Sequence, residues 1–75
     1  MRIEEAISQD PGIMSGALCF TGTRVPVRNL FDHLEAGDSL ASFHDGFPRV
    51  TREQVHVVLQ ASYRLLESPE ARRAA

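Results

Sequence analysis

From Val27 onward the apolar positions fall at Val27, Leu30, Phe31 and Leu34, the i, i+3, i+4, i+7 stripe of an amphipathic helix. Pro26 suits its first turn and Gly37 the position just past its end, so a helix is predicted over 27–36. Asp38 or Ser39 as N-cap, Leu40 and Phe43 on one side, and Gly46 and Pro48 as stops predict a shorter helix over 39–45. A third, over 51–67, has the clearest start: Thr51 with Gln54 spells a capping box, and Val50 and Val55 are spaced as a hydrophobic staple around it. On a helical projection Val55, Val58, Leu59, Leu65 and Leu66 share one face with Tyr63 at its edge, and Glu53, His56, Gln60 and Arg64 lie opposite. Val57 falls within that polar arc and is a candidate contact for another chain.

Upstream the pattern shortens. GALCF (16–20) and TRVPV (23–27) read as two strands joined by Thr21 and Gly22, with Gly22 supplying the positive φ of a tight turn. Pro26 cannot donate to a ladder, so the second strand ends there or lies at an edge. A lone two-stranded hairpin is marginal in water. It is therefore expected to lie on the helices or to pair with the same hairpin of a second subunit, which makes Arg24, Val25 and Val27, with Val57, the interface candidates. The last residues, ESPEARRAA, form a tail in which Pro69 breaks the third helix near Ser68.

Seventy-five residues fit one domain with a thin stability margin. The single cysteine rules out an internal disulfide and fits a reducing, cytoplasmic setting. MRIEEAISQD carries no long apolar run, so neither a signal peptide nor a membrane anchor is expected. A net charge of −2 argues against coating nucleic acid by bulk electrostatics. The distribution says more: all eight basic residues are Arg, residues 32–45 hold four acids and no base, and the segments on either side hold Arg24, Arg28, Arg49, Arg52 and Arg64.

Candidate chemistry is sparse. Cys19, alone among apolar neighbours, reads as a small buried hydrophobe. GALCFTGT lacks the lysine and the frame of a phosphate-binding loop. His33, His44 and His56 lie on three different predicted helices without the close pair of ligands a metal site usually shows; Ser42, His44 and Asp45 crowd one helical turn where a triad cannot form, and these three read as solvated helix polars. No metal and no cofactor are expected. A short helix, a turn and a longer capped helix resemble the second half of a helix-turn-helix, in which Arg49, Arg52, His56 and Gln60 would face DNA. The alternative is a plain solvated face.

The DP near the start, GTRVPV at 22–27, LEAG at 34–37, and FP followed by a threonine-capped helix with Val55 resemble the domain of unknown function 433 family over most of the chain. At Ser15 to Leu18 the chain has SGAL where relatives carry a glycine pair, Lys and Pro. The resemblance implies a mainly α, three-helix homeodomain-like or winged helix-turn-helix domain with a short N-terminal β-hairpin. It implies a non-enzymatic antitoxin that dimerises, blocks a PIN-like ribonuclease toxin and binds its own promoter DNA. A protein-interaction or dimerisation module that does not touch DNA is the alternative.

Overall fold

Three helices owe their limits to side chains and backbone turns at their ends. α2 (Val27–Glu35) follows Pro26 and stops where Gly37 takes φ +88°. There the Gly37 N–H donates to the Leu34 carbonyl at 3.0 Å and the Asp38 N–H to that of His33 at 2.9 Å, the two bonds of a Schellman motif. α3 (Leu40–Gly46) is capped by the Ser39 hydroxyl, which accepts from the Ser42 N–H at 3.0 Å. α4 (Arg52–Glu67) begins with a reciprocal box: the Gln54 N–H donates to Thr51 Oγ1 and the Thr51 N–H to Gln54 Oε1, each at 3.0 Å. Ser68 then closes α4 and opens another helix, donating to the Leu65 carbonyl at 2.8 Å and accepting from the Ala71 N–H at 3.2 Å.

The computed structural model describes residues 1–74. Besides α2, α3 and α4 it contains α1 (Ile3–Ala6), β1 (Ile7–Gln9), a 3-10 turn at Met14–Gly16, β2 (Leu18–Phe20) and α5 (Pro69–Ala74). The expectation of a three-helix homeodomain-like or winged helix-turn-helix domain is overturned: the described residues form five helices and a two-stranded antiparallel sheet, and α1 lies along α4. The hairpin is also differently made. β2 pairs with β1, upstream of it, in the register Ile7↔Phe20, Ser8↔Cys19 and Gln9↔Leu18.

The physical reason lies in Thr23. Its hydroxyl donates to the Phe20 carbonyl at 2.8 Å and accepts from the Val25 N–H at 3.0 Å, while its own N–H closes the turn onto Phe20 at 3.1 Å. These local bonds curl the segment after Gly22 (φ +79°) instead of leaving it extended. Only a Cys19↔Pro26 bridge and the bond from Phe20 N–H to the Val25 carbonyl, 3.0 Å, remain on that side.

The core gathers Phe20, Val27, Leu30, Phe43, Val50, Val55 and Val58, with Ala6 and Cys19 buried beside them. Phe43 is its hub, with ring centroids 6.2 Å from Phe20 and 5.0 Å from Phe47. Two histidines belong to this packing, and of these His44 is not the solvated helix polar that its place beside Ser42 and Asp45 suggests. His33 meets Phe43 and Phe47 edge-on at 5.5 and 5.6 Å. His44 Nδ1 lies 3.1 Å from the Val50 carbonyl; a carbonyl only accepts, so Nδ1 carries the proton and pins α3 to the entry of α4.

Candidate partner-binding surfaces

The residues singled out in the sequence are divided by the fold among three surfaces. The first is an open groove of about 670 Å3 between the bend after β2 and the turn joining α3 to α4. Arg24 comes from the first wall and Arg49 from the second, with Ile13, Val25, Phe47 and Pro48 supplying the apolar lining. The sequence reading kept Arg24 and Arg49 apart, as an interface residue and a DNA contact. Their sharing one groove depends on β2 and α3 meeting through the rings of Phe20 and Phe43, which nothing local in the sequence announces. Neither arginine forms an ion pair among the described residues, where the pairs are the chain amino group with Glu53, Arg2 with Glu4, and Arg28 with Asp32.

The second surface runs between α1 and α4. His56, Val57 and Gln60 line it together with Ile3, Glu4 and Arg64, and the chain amino group lies 3.5 Å from Glu53 Oε2. The face of α4 that the spacing offered to DNA is therefore flanked along its length by the N-terminal segment. Arg52, the first residue of α4, is exposed and lines neither groove. Val27 is a core residue with little surface to offer a second subunit, and Val25 packs half-buried against the same core.

The third surface is the far end of α4. Val55 and Val58 are buried and Leu59 is half-buried against the core, but two turns later the same stripe stands in solvent. Tyr63, Leu65 and Leu66 are 59%, 65% and 67% exposed. The helix outruns the domain that its first half packs on, and α5 does not cover what projects.

Gln54 is a structural residue whose second role the sequence does not show. Its side chain is satisfied at both ends, accepting from Thr51 as above and donating through Nε2 to the Thr21 carbonyl at 2.9 Å. It is 5% exposed, and its amide ties the start of α4 to the end of β2. Among the described residues no three His, Cys, Asp or Glu side chains gather in a metal-binding arrangement, and no helix is long and apolar enough to cross a membrane.

The profile of the protein-of-unknown-function family DUF433 matches residues 7–60. The chain belongs to that family. The DUF433 match contains both strands, α2, α3 and every residue of the Arg24–Arg49 groove, and it stops before the exposed end of α4. Comparison with curated proteins and with solved structures gives no match.

Proposed function

We propose that this DUF433 protein is a non-enzymatic, antitoxin-like regulator of the cytoplasm that neutralises a PIN-like ribonuclease toxin by direct contact. The observation that carries this reading is the uncovered apolar end of α4, where Tyr63, Leu65 and Leu66 project beyond the core. Three large apolar side chains grouped on one helix end are what an amphipathic helix lays into a partner's groove. The family resemblance supplies the kind of partner. A homodimer that presents two such helix ends fits the same reading.

The test is co-expression with a PIN-like ribonuclease. A stable complex that inhibits cleavage is expected, and Leu65→Ser with Leu66→Ser is expected to abolish it while leaving the free protein folded. Failure to form any complex would remove the antitoxin reading.

Binding of its own promoter DNA is a second reading, supported by Arg49 and Arg52, which are exposed and make no ion pair among the described residues. In a mobility-shift assay Arg52→Ala is expected to weaken binding and reduce its salt dependence, because a phosphate contact releases counterions. A shift unchanged by that substitution would exclude Arg52.

A further inference from the structure

The Arg24–Arg49 groove has a composition unlike the rest of the surface. Its lining is Ser8, Gly22, Thr23 and Gly46 plus the apolar side chains and the two arginines, with no acid among them. The acids of this chain concentrate elsewhere, four of them in residues 32–45. Among the described residues the backbone N–H groups of Arg24 and Arg49 donate to no backbone carbonyl. At about 670 Å3 the groove is within the range of small-ligand clefts, roughly 300–1,000 Å3.

We propose that this groove binds a short extended segment of a partner protein in which carboxylates flank an apolar side chain. Each guanidinium presents a planar fork that matches a carboxylate in bidentate fashion. In the same groove Ile13, Val25, Phe47 and Pro48 supply an apolar lining, which takes the side chain of the intervening residue. That lining decides between two anionic ligands. A phosphodiester backbone would satisfy the arginines but would leave the apolar lining against a charged, hydrated chain, whereas an acidic-apolar peptide satisfies both. The site rests on the proposed partner-binding function and adds a second contact to it. All its lining residues fall within the family match, while the end of α4 falls outside, so the groove supplies a recognition element separate from the helix tip.

The test uses the full chain, labelled with nitrogen-15, titrated with the blocked tetrapeptide Asp-Leu-Asp-Phe. Amide shifts are expected at Gly22, Arg24, Val25, Phe47 and Arg49. Arg24→Gln with Arg49→Gln is expected to weaken binding about tenfold, the combined effect of two exposed carboxylate contacts. Both arginines are exposed, and the dispersion of the remaining amides checks that the variant is folded. The Asn-Leu-Asn-Phe analogue should bind the native protein with a similar loss. Equal shifts from both peptides, or shifts confined to other surfaces, would overturn the assignment. So would a short DNA duplex that displaces the peptide from these same amides, which would make the groove a phosphate site. If the toxin fails to co-purify while the peptide titrates the groove, the functional reading falls and the groove stands. If the toxin binds and the groove ignores the peptide, the reverse holds.

Discussion

Gln54 binds the carbonyl of Thr21, 33 residues away in the chain, and the α4 cap residue Thr51 with one amide. Gln54→Leu keeps comparable bulk but strands the Thr21 carbonyl and the Thr51 N–H. An unfolding free energy lower by about 1–3 kcal/mol is expected from urea denaturation; an unchanged midpoint would show that water replaces the amide without loss. Gly22 poses the opposite problem, since a Cβ there meets nothing within 4 Å and only the φ of +79° resists it. Gly22→Ala is therefore expected to cost about 1–2 kcal/mol from the backbone alone, and Gly22→Val more because of its branched β-carbon. Ser15, at φ +56°, should respond with the reverse sign. Ser15→Gly relieves a left-handed residue and gives back part of the gain as unfolded-state entropy, for a net rise of up to about 1 kcal/mol. Thermal melts of the three variants check this, and a Ser15→Gly protein that melts several degrees lower would contradict it. The Thr51–Gln54 cap was legible because its spacing is a local signature. The bond to Thr21 was not, because it exists only once two distant segments have met.

At the scale of elements, periodicity identifies which face of a helix is apolar but carries no information on how far the core extends beneath it. Val55, Val58, Leu59, Leu65 and Leu66 form one stripe in sequence, and the fold divides them into a buried half and a projecting half. Leu65→Ser with Leu66→Ser should accordingly change folding stability by no more than about 0.5 kcal/mol per site. A loss of several kcal/mol on chemical denaturation would mean that the α4 end is covered in the free protein. Strand β1 was illegible for a different reason. Ile7, Ser8 and Gln9 are too few to show an alternating pattern, and the more conspicuous TRVPV run suggested a different partner for β2. α1, four residues long, is likewise below the length at which a helical period can be read. Those two short elements decided the architecture. The groove followed from the architecture, so its residue types were visible in the sequence while their meeting was not.

Over the whole molecule, the N-terminal segment acts as a clasp. α1 packs on α4, β1 pairs with β2, and Ala6, fully buried, lies between them. A chain lacking residues 1–9 leaves β2 with a single bridge and uncovers α4. For a small domain with little stability to spare, loss of a cooperative melting transition is the expected result by circular dichroism; a truncated chain that still melts sharply would show that the clasp is dispensable. Residues 10–12, the bend after β1, are exposed and belong to no helix or strand. A single cut there severs no helix or strand but detaches the clasp from the rest of the chain, so cleavage at this one short bend is expected to shorten the lifetime of the folded protein.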